Sequence, residues 1–289
     1  MRKIAATLAL ATGLTVAATA PAQALIFGQN AQETPEAMSV VRLELYGDDG
    51  SVGNCTGTAV SGQWIVTAQH CIEGFGAPGG KAYVGVTGPK AEYEINHWEA
   101  GPHGDIAMVH VTEDMGLDFY PEVANDVPAT GEKVRVYGWS SLGQGATGTL
   151  PTATLTMADC NVVDFCADGA MHLSHATLPT TLQQGDSGGP MFYNGKLTGA
   201  LSAAISSGLL PPQLSGAYIH TRTDVNYDWI MATMATSPEG EGKKPAFPVP
   251  PTNPGFPDTP FFDVPLPVLP SPGFPSPGFP SPGLPSPAL

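Results

Sequence analysis

No feature of this sequence restricts the fold more than its repeated short runs of alternating Val, Ile, Tyr and Thr, each cut off by Gly, Pro, Asp or Asn. Examples are "SVVRLELYG", "QWIVTAQ", "KAYVGV", "IAMVHV", "KVRVYGW" and "KLTGALSAA". β-Branched and aromatic residues in alternation suit a pleated surface with a buried face, and turn formers between runs send the chain back antiparallel. The pattern predicts an all-β domain, a sandwich or barrel of antiparallel strands. Only "TDVNYDWIMATMA" departs from it. Val225, Trp229, Ile230 and Met234 recur at helical spacing, with Asp224 placed as an N-cap, so one closing helix packed on the barrel is expected.

Two ends do not share this pattern. Residues 1–24 open on Arg2 and Lys3, pass through a short alanine-rich apolar run and close on Ala22-Gln23-Ala24. That layout fits a signal peptide with a small-x-small cleavage site, so an exported, extracellular protein is expected. No later segment is apolar enough to span a bilayer. Residues 236–289 change composition again, ending in SPGFP at Ser271, SPGFP at Ser276 and SPGLP at Ser281. Proline every two or three residues removes backbone donors and fixes φ, so a disordered Pro-rich tail of polyproline II type is expected instead of packed structure. At about 3.1 Å per residue, such a tail could reach on the order of 150 Å. It reads as a spacer, either a passive linker or a segment that holds the domain at a cell wall.

Between these ends, residues 25–235 are long enough for a single domain with a substantial core. Without Arg2 and Lys3 the chain carries 9 basic against 26 acidic residues, a formal −17. Such a charge argues against nucleic acid as a partner and is read as solubility outside the cell. In an exported chain, four cysteines suggest two disulfides, and two local pairs offer themselves: Cys55 with Cys71 and Cys160 with Cys166. The first pair encloses "CTGTAVSGQWIVTAQHC", where an apolar strand runs into His70 and the next residue is the cysteine itself. A disulfide there would staple a titratable side chain in place.

The box "TAQHC" resembles the TAAHC box of chymotrypsin-like (trypsin-fold) serine proteases, with the paired cysteine sixteen residues upstream as in that family. "GDIAMVHV" resembles the family's DIAL segment and "GDSGGP", Gly185 to Pro190, its nucleophile box. "VYGWS", "LTGALSAA" and "GAYIHTRTDVNYDWI" are similar to the strands and closing helix around them. The resemblance covers roughly residues 25–235. It implies two six-stranded antiparallel β-barrels with a C-terminal helix, in a secreted, bacterial-type serine endopeptidase that acts on proteins or peptides as a monomer without a cofactor.

Residue by residue, the resemblance implies Ser187 as nucleophile, His70 as its general base and Asp105 as the acid that orients His70. Ser202, in "ALSAA", matches the family's serine that supports that acid. The N–H groups of Gly185 and Ser187 would form the oxyanion hole. The glycines of the box are expected to allow the tight turn at 185 and an uncrowded exit past 188 and 189. Cleavage after Ala24 would expose "LIFGQNA", which aligns with the family's IVGGxxA start, so Leu25 N is expected to pair with Asp186. Leu25 stands where the family usually has Ile, and Phe27 where it has Gly.

The matching substrate pocket has Thr181 at its floor, Ser202, Ala203 and Ala204 on one wall and Gly216 opposite. A neutral pocket without Arg or Lys specificity is implied. Gln183 replaces the cysteine that usually braces this pocket, and Cys160–Cys166 would stand in for another family bridge, shortened. His97 resembles a structural box before the acid. His103, His110, His172, His175 and His220 have no metal spacing, and all six are read as non-catalytic. No carboxylate loop for calcium and no Gly-rich phosphate loop occurs.

Overall fold

The computed structural model describes residues 29–238, apart from 74, 76, 77, 141–147, 163–165, 167, 177–182 and 206–215. The runs that alternate in sequence become strands whose two faces serve two cores. In β2 (Val40–Tyr46), Val41, Leu43 and Leu45 enter one apolar cluster while Val40 enters another. In β4 (Trp64–Thr67) and β7 (Ala107–Val111) every residue is buried, because Ile65, Val109 and Val111 point one way and Trp64, Val66 and Met108 the other.

The first cluster fills a closed barrel. Its strands are β2, β3 (Val52–Ala59), β4, β5 (Gly80–Val84), β6 (Ala91–Ala100) and β7, hydrogen-bonded in the order β2-β3-β4-β7-β6-β5 and back to β2. A second barrel follows in sequence: β8 (Lys133–Tyr137), β9 (Pro151–Ala158), β10 (Met171–Ala176), β11 (Pro190–Tyr193), β12 (Lys196–Ile205) and β13 (Ala217–Arg222). It runs β8-β9-β10-β13-β12-β11 and closes where β11 pairs with β8. The two-residue β1 (Gln29–Asn30) lies on the edge of β9. Val134, Val136, Leu155, Met157 and Leu201 belong to the second barrel's own cluster.

The cluster that holds Val40, Trp64 and Met108 also contains Tyr137, Trp139, Phe192 and Leu197 from the second barrel, so a shared apolar seam joins the two. Ile230 of the closing helix adds to that seam. The helix is shorter than its pattern suggests. It splits into a 3-10 turn, Asp224–Asn226, and an α-helix, Tyr227–Met234. Asp224 does not cap it but pairs with Arg222 at 2.6 Å. A further helical turn, Pro35–Met38, escapes the alternating pattern; Thr34 caps it and Pro35 opens it.

Candidate active site

His70 arrives at the end of β4. The chain leaves the sheet at Ala68 and makes one 3-10 turn, Gln69–Cys71. The Cys55–Cys71 disulfide ties that turn to β3. His70 also comes within 4.8 Å of both sulfurs, but these are bonded to each other and offer no thiolate to a metal.

Asp105 lies just before β7. Its Oδ1 accepts the backbone N–H of His70 at 2.8 Å, and its Oδ2 lies 2.7 Å from His70 Nδ1. Ser202 Oγ donates to the same Oδ2 at 2.7 Å. Burial alone would raise the Asp105 pKa, yet the charge and hydrogen bonds of His70, with that of Ser202, hold it below the usual carboxylate value. Burial works against protonation of His70, but the charge and hydrogen bond of Asp105, helped by Glu73, raise its pKa. An ionised carboxylate on Nδ1 keeps the proton there and leaves Nε2 as the basic nitrogen.

Ser202 reaches the acid through a sheet irregularity. In the β12–β13 pairing, Leu201 faces His220 and Ala203 faces Ile219, so Ser202 is an extra residue bulged out of register.

The turn Gln183–Gly189 is tied to the first barrel. Thr56 N–H donates to Ser187 O at 2.8 Å and Thr56 Oγ1 donates to Gly185 O at 2.7 Å. Gly188 has φ +76, and a Cβ there would come within 2.1 Å of Thr67 Oγ1 and 2.7 Å of Ala68 N. The glycine therefore brings the residue after Ser187 into backbone contact with the strand end that carries His70. A side chain at this position is excluded by the first barrel itself, through Thr67 Oγ1, Thr56 O and Ala68 N. The amides of Asp186, Gly188 and Gly189 donate to carbonyls, whereas among the described residues those of Gly185 and Ser187 have no acceptor.

Asp186 is wholly buried. It accepts Gln183 N–H and Ser140 Oγ–H, both at 2.8 Å, and has no cationic partner among the described residues. Burial pushes its pKa up to about 7 against those hydrogen bonds. Gly138 makes room for it, since a Cβ there would lie 2.3 Å from Asp186 Oδ1. Leu25 and Thr181 lie outside the described residues. Ala203 and Ala204 occupy β12 and face Ile219 and Tyr218, while Gly216 leads into β13 with φ +76.

His172 and His220 face each other across β10 and β13 inside the second barrel, and His110 is buried beside Trp64. Thr56, Ser140 and Thr221 were not singled out from the sequence. Thr56 directly follows Cys55 and Ser140 closes "VYGWS", so only adjacency to a recognised box could have flagged them.

The two closed six-stranded barrels with a closing helix are the fold of chymotrypsin-like proteases. A family model described as Trypsin matches residues 26–230, and the chain belongs to that family. It is a serine endopeptidase, as its relatives are peptidases. Trypsin Blo t 3 of Blomia tropicalis is 30% identical, over 61% of this chain and 75% of that protein. An uncharacterized peptidase of Corynebacterium glutamicum (strain R) is 30% identical, over 64% of each. Among solved structures, the scabies mite inactivated protease paralogue S-D1 superposes with a TM-score of 0.59 at 18% identity, over 72% of this chain and 96% of that one. A mutant of human heparin binding protein gives 0.59 at 15% identity, over 74% and 98%. These two likenesses concern the fold. Among the described residues, no helix is long and apolar enough to cross a membrane.

Proposed function

We propose that this endopeptidase is exported and cleaves peptide bonds through Ser187, His70 and Asp105. The single observation that carries the reading is the chain Ser202–Asp105–His70, whose bonds of 2.7 Å leave Nε2 as the basic nitrogen of the imidazole. A serine hydroxyl is a weak nucleophile at neutral pH and needs such a base. His70 takes the proton of Ser187 as its oxygen attacks the scissile carbonyl, then hands it to the leaving amine. Water repeats the sequence on the acyl-enzyme. The amides of Gly185 and Ser187, which have no acceptor among the described residues, receive the negative charge on the carbonyl oxygen.

Residues 1–24 are a cleaved signal peptide, residues 25–235 the protease domain and residues 236–289 a Pro-rich spacer. Removal of residues 1–24 frees the amino group of Leu25, a cation for the buried Asp186. A carboxylate buried without a positive partner is costly, and an ammonium would lower its pKa again. The residues matched to the substrate pocket, Thr181, Ser202, Ala203, Ala204 and Gly216, are uncharged in sequence, and this supports cleavage without preference for Arg or Lys. The tail is a spacer, either a passive linker or a segment that holds the monomeric enzyme at the cell wall.

An active-site fluorophosphonate tests the reading. It should label the purified protein at Ser187, and Ser187→Ala should lose both label and peptide cleavage. Full cleavage by Ser187→Ala would sink the assignment, and ester cleavage without peptide cleavage would make the chain an esterase.

A further inference from the structure

Asp105 belongs by sequence to the first barrel, because it leads directly into β7. Its backbone is nevertheless held by the second. Thr221 of β13 is completely buried, and its Oγ1 touches both polar groups of one residue. It accepts Asp105 N–H at 3.1 Å and donates to Asp105 O at 2.8 Å. Two residues earlier, the buried Asn226 does the same for His103. Its Oδ1 accepts His103 N–H at 3.2 Å and its Nδ2 donates to His103 O at 3.0 Å. The second hydrogen on Nδ2 goes to Arg222 O at 2.9 Å, which ties Asn226 to the end of β13.

Two side chains thus replace the ladder that a neighbouring strand would supply, gripping residues 103 and 105 at N–H and C=O alike. The glycine between them permits the approach. Gly104 has φ +70, and a Cβ there would lie 2.9 Å from Thr221 Cγ2 and 3.3 Å from Ala170 Cβ. Asn226 is so occupied that it makes no side-chain cap to the helix it precedes, although its residue type suits one.

We propose that Thr221 and Asn226 are positioning residues that set the acid against His70 from the second barrel. The proposal rests on the reading of His70, Asp105 and Ser187 as the catalytic group. His70 is carried by the first barrel, while Thr221, Asn226 and Ser202 all come from the second. The 2.7 Å contact between Asp105 and His70 lies within the first barrel, at the ends of the paired strands β4 and β7, and is braced from across the seam. Its length depends on how firmly residues 103–105 are fastened on the far side. A catalytic constellation loses rate steeply when one member moves by a fraction of an ångström to an ångström.

Thr221→Val keeps the shape of the side chain and removes the hydroxyl. Measured per site titrated with the fluorophosphonate, kcat for a peptide substrate should fall about 10- to 100-fold with KM nearly unchanged. The acid limb of the kcat/KM profile should move to lower pH, because a displaced carboxylate supports the His70 imidazolium less. Thr221→Ser retains the hydroxyl and should restore both. Should the valine variant not fold, Asn226→Asp carries the same test: it is nearly isosteric and turns a donor toward His103 O into an acceptor, so the same fall and the same pH displacement are expected. Unchanged kcat and an unmoved acid limb in a folded variant would overturn the proposal. Asp105→Asn separates this from failure of the catalytic assignment: if that variant keeps full activity the assignment itself is wrong, and if it loses activity while Thr221→Val does not, only the positioning role falls.

Discussion

Two histidines buried in the second barrel should make the folded protein sensitive to mild acid, by an amount that the structure allows to be worked out. His172 and His220 are direct cross-strand neighbours on β10 and β13, and His220 Nε2 lies 2.9 Å from Ser174 Oγ. Among the described residues, His172 Nε2 and His220 Nδ1 have no partner. Burial first, then Arg222, lowers the His172 pKa to about 4; burial first, then His172, lowers that of His220 to about 3. An unfolded chain titrates histidine near 6.5, so between pH 6.5 and 4 only the unfolded state takes up these protons. Their contribution to stability is complete above pH 6.5 and is lost as pH falls toward the folded values. Each histidine costs about 1.4 kcal/mol per pH unit, so the pair costs about 4 kcal/mol at pH 5. A whole domain is stable by roughly 5–15 kcal/mol.

Urea unfolding followed by tryptophan fluorescence between pH 4.5 and 7.5 measures the effect. Asp186, with its pKa near 7 when unpaired, contributes with the opposite sign in the same window. The decisive quantity is therefore the difference in slope between wild type and His220→Gln, which keeps a polar group for Ser174. The variant should lose about 1.4 kcal/mol per pH unit of slope between pH 6 and 4.5. Equal slopes would show that His220 is protonated inside the barrel, and the argument from burial would fail.

Activity should also depend on pH with a definite sign. Hydrolysis needs neutral His70, whose pKa is raised by Asp105, so the acid limb of kcat/KM should lie above pH 6.5. Ser202→Ala removes one of the bonds that keep Asp105 ionised and should move that limb downward, with kcat reduced several-fold; a stationary limb would count against it. Replacing Cys55 and Cys71 together by Ala opens a loop of sixteen residues. It should cost about 3 kcal/mol in urea unfolding and lower kcat in the fraction that stays folded, read by titrating active sites.

Much of the fold could be read from local pattern. Six runs picked out from the sequence each became a strand, since β-branched and aromatic residues between turn formers suit a pleated sheet whether one face or both are buried. The helix Pro35–Met38 did not show itself, because a single capped turn is too short to display a period. Of the candidate site, the boxes around His70, Asp105 and Ser187 stood out as short contiguous strings. Thr56, Thr221 and Asn226 did not, because each acts on a residue more than a hundred positions away.

The sequence by itself determined what depends on neighbours along the chain: where strands begin and turn, which cysteines lie close enough to pair, and which positions need glycine for a left-handed turn. Tertiary structure alone decided what depends on the meeting of the two barrels. It brought Ser202 out of register onto Asp105, fastened Asp105 and His103 by Thr221 and Asn226, and tied Gly185 to Thr56. The physical reason is that hydrogen bonds between distant segments form only once the apolar seam has aligned the barrels, and no local pattern of residue types carries that alignment.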